Sequence, residues 1–247
     1  LSDASDGVYT FTGGNLNTGN ITINATRTGT TAIQRGLNMA GNPYPSYLNW
    51  DSAYQAENRS KIHPTIWYRT QSGESMVFQT YNAALKVSVP DGLTGFIPPL
   101  QAFWLKVDTD PVMPATQTTG YVNLTNTMRA HAGSAGNSST NRLKAPALSG
   151  RQLVRLVLSN GIYSDETVIA GNANASDAFD AFDSQKMSNN NNQIPEIYSL
   201  AGTEKLAING LNAFTEEKVV KIGIKPGMSN SFTIKATQID NLPAELK

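Results

Sequence analysis

The segment from Leu37 to Asp51, LNMAGNPYPSYLNWD, contains two prolines, two tyrosines, a tryptophan and a Gly-Asn step within a short span. A proline fixes its own φ near −65° and keeps the residue before it out of the α region, so Pro43 and Pro45 predict a stiff, extended corner. Rigid aromatic side chains suit a packed corner between strands, which is the interpretation we favour. They equally suit a preorganised ligand contact, and that alternative stays open. The aromatic side chains concerned are Tyr44, Tyr47 and Trp50.

Alternating apolar and polar residues recur in short runs on both sides of this corner, as in TIWYRT, QAFWLKV and KVVKIGIK. These runs have the length and the β-branched or aromatic content of strands, and Gly, Asn, Asp and Pro separate them at intervals typical of antiparallel sandwiches. The sequence therefore predicts an all-β protein of two antiparallel, jelly-roll-like β-sandwich units with very few short helices. The helical candidates are residues 49–58, with Asp51 as N-cap, and residues 176–187, with Ser176 or Asp177 as N-cap.

The character of the chain changes at its middle, where AHAGSAGNSSTNRLKAPALSG is small, polar and free of aromatic residues. A segment with so little to bury is typical of a linker. We therefore expect an N-terminal sandwich over residues 1–118, a strand and flexible linker over 119–150, and a C-terminal sandwich over 151–247. The C-terminal unit is incomplete if the strand that DNLPAELK begins continues beyond Lys247, and a chain that starts Leu-Ser without Met reads as a processed or truncated piece.

The 19 basic and 19 acidic residues cancel, so charge gives no reason to expect nucleic acid or an anionic membrane as a partner. No stretch is apolar for the ~20 residues that a membrane-spanning helix needs, so membrane insertion is not expected. The chain has no cysteine, which forbids disulfides. Together with the Asn-, Thr-, Ser- and Gly-rich composition, this favours an exported protein.

Motifs for common enzyme chemistries are missing from the sequence. The two histidines, His63 and His131, lie in different segments, and HExxH, GxSxG and phosphate-binding glycine motifs do not occur. We therefore expect a protein that is not an enzyme and that needs no cofactor. A glycosidase needs only two carboxylates, which no count of residues excludes, so that alternative stays open.

Asp177, Asp180 and Asp183 are spaced by three residues and would share one face of a helix. Clustered carboxylates could hold Ca²⁺, which prefers six to eight oxygen ligands. A solvated polar face with local capping is the favoured interpretation, and Ca²⁺ at these three aspartates is the alternative.

A second group of aromatic residues lies on alternating strands, and Trp67 and Trp104 are the candidates in it for stacking on a sugar ring. Because neighbouring residues of a strand point to opposite faces, one member of each pair must face outward or be covered by another layer. Core packing is favoured and a binding face is the alternative. The pairs are Trp67-Tyr68 and Phe103-Trp104.

Several segments that follow one another in a fixed order cover nearly the whole chain. They include RGLNMAGNPYPSYLNWD, GFIPPLQAFWLKV and DETVIAGNANASDAFDAFDSQKM. They resemble the β-rich region of secreted and surface proteins of Bacteroidota that precedes a type IX secretion sorting domain. This chain has Met39 and Ala40 where that family usually has Leu and Val, and it does not include the sorting domain. The resemblance implies an extracellular or cell-surface protein of adhesin-like or structural type.

Taken together, these observations predict a non-catalytic extracellular structural or adhesive protein that self-associates, or binds other surface proteins, through an open terminal strand. Strand exchange of this kind would build a filament or surface layer. A carbohydrate-binding module with glycan partners is the alternative function.

Overall fold

The computed structural model describes residues 13–28, 36–72, 75–108, 118–131, 150–228 and 230–243. Within these ranges strands dominate and helices are few and short, so the all-β prediction is confirmed. The first half of the chain contributes strands at Ile21–Arg27 (β1), Leu37–Gly41 (β2), Tyr47–Asn49 (β3), Arg59–Ser60 (β4), Ile62–Ser72 (β5), Ser75–Asn82 (β6), Val87–Val89 (β7), Phe96–Ile97 (β8), Ala102–Val107 (β9), Thr118–Leu124 (β10) and Arg129–Ala130 (β11).

These strands form antiparallel sheets that make up a first unit. A five-stranded sheet has the order β2-β9-β5-β6-β7, and two three-stranded sheets have the orders β1-β10-β4 and β11-β3-β8. β10 pairs with β1 along its whole length, so the strand predicted for the segment 119–150 closes the first unit. The linker predicted within that segment falls on 132–149, which lie outside the described residues.

The main core of the first unit lies between the five-stranded sheet and β1-β10-β4, and the proline-rich corner covers it. Ile66 and Leu105 from the large sheet meet Val122 and Leu124 from β10, and all four are fully buried. Burial of an aliphatic side chain of this size stabilises the fold by about 1.5–3 kcal/mol, so the corner is held against a substantial apolar surface.

The second half forms one sheet of seven strands with the order β17-β15-β16-β13-β12-β18, in which β14 also pairs with β16. All its pairings are antiparallel except β13 with β16. The strands lie at Leu153–Ser159 (β12), Ser164–Gly171 (β13), Ser184–Gln185 (β14), Glu196–Ala201 (β15), Glu204–Leu211 (β16), Ile222–Lys225 (β17) and Thr233–Asp240 (β18).

The two units share a core. Val87 and Val89 of β7 pack with Leu153, Val168 and Ile208 of the second sheet in one buried cluster. The five-stranded sheet is therefore a central layer with packing on both faces, and the second unit completes its core with strands of the first.

The helical prediction at residues 49–58 is confirmed as a single helical turn. Trp50–Ala53 is α-helical (α1) and Ala56–Asn58 is a 3₁₀ turn. The N-cap is Asn49, whose side chain accepts from the Ser52 N–H, and not Asp51. Asp51 instead accepts a hydrogen bond from the Tyr81 hydroxyl at 2.8 Å.

Among the described residues, none of the helices has the length and apolar character needed to cross a membrane.

Replacement of Trp67 by alanine tests the shared layer. The Trp67 side chain is 1 % exposed between the two units, so Trp67→Ala should lower the free energy of unfolding by about 3–5 kcal/mol. Urea denaturation followed by fluorescence and circular dichroism measures this loss. The half-buried Trp104, replaced by alanine in the same way, is the matched control and should cost less. Equal losses in the two variants would contradict burial of Trp67 between the units.

Candidate functional site

The proline-rich corner is organised by one buried amide, Asn42. Its Nδ2 lies 2.8–3.0 Å from the carbonyl oxygens of Ser46, Ile97 and Pro98, and its Oδ1 accepts from the Tyr44 N–H. The amide therefore links the corner to Ile97 of β8 and to Pro98, the residue after it. Since the prolines have no N–H, the Asn42 side chain supplies hydrogen-bond donors that the backbone of the corner lacks.

The aromatic residues of the corner are mostly structural. Tyr44 and Trp50 are both fully buried. The Tyr44 hydroxyl donates to Gly19 O at 2.7 Å, and Trp50 Nε1 donates to Pro64 O at 2.9 Å. Neither ring leaves a face for a ligand, so the prediction of these two as ligand contacts is wrong and the packed-corner interpretation accounts for them. Tyr47 is half-buried on β3.

Trp67 is also not available to a ligand. Its Nε1 donates to Gln185 O at 3.0 Å, so the second unit is the layer that covers it. The expectation that neighbouring aromatic residues point to opposite faces is confirmed, because Tyr68 belongs to the core on the other side of the sheet. Trp104 is half-buried and meets Phe78 edge-on at 5.7 Å between ring centroids.

The segment that holds the three aspartates forms turns instead of the predicted helix. Asp180 accepts from the Ser176 and Phe182 N–H groups, and Asp183 accepts from the Asp180 and Gly210 N–H groups. Short carboxylates compete in this way for backbone donors that a helix would use.

The three aspartates do not form a common site. Asp177 forms a salt bridge with Lys218, while Asp183 is buried beneath the segment. Within the described ranges, no group of three or more His, Asp or Glu side chains is arranged to hold a metal ion. The shared helical face on which the Ca²⁺ alternative depended is therefore not formed.

A buried polar seam joins the central sheet to the second unit. His63 stacks on the Phe179 ring at 5.7 Å, and Asn82 Nδ2 donates to Asp183 O at 3.2 Å. Burial, with a smaller effect of the Lys106 charge, lowers the pKa of His63 to about 3. His63 is therefore a neutral structural residue at physiological pH.

Lys106 continues the seam by donating to the Gln185 side-chain oxygen, and Gln185 Nε2 donates to Glu204 at 2.6 Å. Burial lowers the pKa of Lys106 to about 8. The hydrogen bonds of the seam fix the two units against each other.

A cleft of about 390 Å³ opens where the β5-β6 hairpin meets β15 and β16. No sequence pattern indicates this cleft, because its residues come from distant segments with no common motif. Its lining includes three cations, two aromatic rings and one carboxylate: Arg69, Lys186, Lys205, Phe78, Tyr198 and Glu196.

The carboxylate of the cleft is engaged in the fold. Glu196 accepts from the Ser188 hydroxyl at 2.8 Å and from the Asn189 N–H, and Lys225 lies 3.7 Å away. A glycosidase-type reaction needs two facing carboxylates, and the described lining supplies this one. The arrangement is suited to binding an anion.

The family model for a domain of unknown function, DUF8693, matches residues 3–245. The chain belongs to this family. No curated protein sequence and no solved structure matches the chain.

Replacement of Asn42 tests its role in the corner. Asn42→Ala removes the hydrogen bonds and should lower the free energy of unfolding by about 1–3 kcal/mol. Asn42→Asp should cost more, because a carboxylate oxygen would then face three carbonyl oxygens. Chemical denaturation of both variants measures this order, and an aspartate variant as stable as the wild type would refute it.

Asp183 predicts a pH dependence of stability. Burial raises the pKa of its carboxyl to about 7, so between about pH 4 and pH 7 the folded protein binds more protons here than the unfolded chain. The stability that this group contributes is fully present below about pH 4 and is lost as the pH rises through 7.

Asp183→Asn removes this titration, so the stability difference between wild type and variant should fall with rising pH by up to about 1.36 kcal/mol per pH unit. Burial also raises the pKa of Asp108 to about 6, but this group is present in both proteins and cancels in the comparison. Denaturation curves collected from pH 4 to pH 8 provide the measurement. Parallel stability curves would show that Asp183 titrates normally.

Proposed function

We propose that this domain is a non-catalytic structural or adhesive module of an extracellular or cell-surface protein, which self-associates by strand addition. The observation that carries the proposal is the exposed edge strand β18. It pairs with β12 on one side, and no other described strand pairs with it. A long open edge of this kind recruits a strand from another chain.

The side chains of β18 are also available to a partner. Ile234 and Ile239 are each 49 % exposed, although both are large apolar residues. Ile239 lies opposite Val154 of β12, and Ile234 lies opposite Leu158, four positions further along β12. A β-bulge between these two pairs offsets the five-residue spacing on β18, so the two isoleucines share one face of the sheet. An exposed apolar pair beside an open backbone edge supplies both hydrogen bonds and apolar area to an added strand.

The opposite edge of the same sheet is β17, which pairs with β15 alone among the described strands. Ile222 and Ile224 on β17 are each 37 % exposed. Addition of β18 from one copy to β17 of the next would continue the seven-stranded sheet across the contact. Because the two surfaces differ, this contact is heterologous and does not close, so it extends into a filament or surface layer.

The extracellular location is supported by the resemblance to type IX secretion cargo of Bacteroidota.

The partner proposed for the β18 edge is a second copy of this chain. A strand of another surface protein is the alternative partner, and the experiment below distinguishes the two.

Lysine substitutions on β18 test self-association. Ile234→Lys and Ile239→Lys should each weaken association by up to about tenfold. Full burial of an isoleucine side chain is worth about 1.5–3 kcal/mol, roughly half of each side chain remains to be buried at the contact, and about 1.4 kcal/mol corresponds to a tenfold change in affinity. Light scattering and negative-stain microscopy over a concentration series provide the measurement. The same two methods, applied to the native protein, give its assembly state.

Leu16→Lys is the matched control, because Leu16 is 77 % exposed and lies before β1 in the first unit, outside the seven-stranded sheet that contains both edges. This variant should associate like the wild type. Monodisperse single particles of the unmodified protein at all concentrations would overturn the self-association proposal. A strand of another surface protein would then be the partner to test.

A carbohydrate-binding module is the second candidate function. The cleft favours it, since cations and aromatic rings converge there, whereas Trp67, one of the two tryptophans predicted to stack on a sugar ring, is buried.

A further inference from the structure

The cleft holds its cations in defined positions. Arg69 and Phe78 face each other across the β5-β6 hairpin, and the guanidinium lies over the phenyl ring at 5.2 Å from its centroid. On the opposite wall, Lys205 Nζ lies 4.7 Å from the centroid of the Tyr198 ring. Contacts between a cation and a ring face restrict a long side chain, so less freedom is lost when a ligand binds.

The Tyr198 wall is shaped by a glycine on the neighbouring strand. Gly223 is the register partner of Tyr198, and a Cβ atom at this position would overlap the tyrosine ring. The ring therefore lies flat against the β17 backbone. This packing gives the cleft a rigid aromatic side.

The local charge of the cleft is positive, although the whole chain is neutral. Lys186 is neutralised by Asp165 at 2.6 Å, and Glu196 is satisfied by its own partners. Arg69 and Lys205 form no salt bridge with any carboxylate in the part of the chain that the structure describes. Both positive charges are free to bind an anionic ligand.

We propose that this cleft binds acidic sugar residues, that is, oligosaccharides containing uronic acids. Arg69 can hold a carboxylate through two parallel hydrogen bonds, and Lys205 adds a second positive charge. The apolar face of a pyranose packs against Phe78 and against the edge of the Tyr198 ring, whose faces contact Lys205 and the β17 backbone. Its hydroxyl groups reach polar side chains such as Asn190 at the rim. The volume of about 390 Å³ is typical of a small-molecule site.

The two kinds of contact distinguish this ligand from others. Inorganic phosphate would use the cations alone, and a neutral sugar would use the rings and hydroxyl partners alone. The proposal deepens the carbohydrate-binding alternative and does not depend on self-association, because no residue of β18 lines the cleft.

Isothermal titration of the protein with oligogalacturonate, with an uncharged cello-oligosaccharide of the same length and with inorganic phosphate tests the ligand class. Oligogalacturonate should bind at least tenfold more tightly than either of the others, and added salt should weaken its binding. Equal affinity for phosphate would reveal an unselective anion site and overturn the proposal, as would the absence of oligogalacturonate binding.

Arg69→Gln and Lys205→Gln should each weaken oligogalacturonate binding about tenfold, since each removes one charge from the cleft while the fold is kept. Lys235→Gln is the matched control, because Lys235 lies on β18 at the far edge of the sheet. Thermal melting confirms that the variants are folded. Equal losses in all three variants would mean that binding follows net charge and would refute the assignment to the cleft.

The Ile234→Lys variant, in which association is expected to be weaker, separates this inference from the self-association proposal. It should bind oligogalacturonate with the affinity of the wild type. Loss of binding in this variant would place the sugar site at the interface between copies and overturn the assignment to the cleft of a single chain.

Discussion

The structure depends on the burial of strand β5 from both sides. Alternate residues of a strand point to opposite faces, so Ile66 and Tyr68 enter the core of the first unit, while Thr65 and Trp67 face the second unit. One face is built from aliphatic and aromatic contacts, and the other combines Trp67 with polar side chains that are hydrogen-bonded across the interface. An unpaired buried polar group costs free energy, so the hydrogen bonds of this second face favour one position of its partner layer.

Much of the fold could be predicted from the sequence, because its signals are local. Alternation along TIWYRT identifies a strand, and the rule that Trp67 and Tyr68 point to opposite faces follows from strand geometry alone. The stiff corner could also be predicted, since Pro43 and Pro45 restrict the backbone whatever surrounds them. The central role of Asn42 could not be predicted, because its three carbonyl acceptors include residues more than fifty positions away.

The candidate site could not be predicted for the same reason. Arg69 and Lys205 are ordinary surface cations in sequence, and only the packing of the β5-β6 hairpin against the second sheet brings them to one cleft. The aspartates show the opposite error, in which a regular spacing predicted a helical face. Asp180 and Asp183 instead accept hydrogen bonds from backbone N–H groups of the same segment, and this local hydrogen bonding outweighs the periodic pattern.

The five-stranded central sheet is covered on both faces, whereas β17 and β18 are, among the described strands, open edges of the seven-stranded sheet. A strand of a partner could therefore pair only at such an edge. Tyr198 of the cleft lies on β15, directly beside β17, and Lys225 of β17 reaches the buried Glu196. A strand added to the β17 edge would therefore lie next to the wall of the cleft. Tyr198 nevertheless keeps its position through contacts within one chain, with Gly223 and Lys205, so the cleft is complete without an added strand.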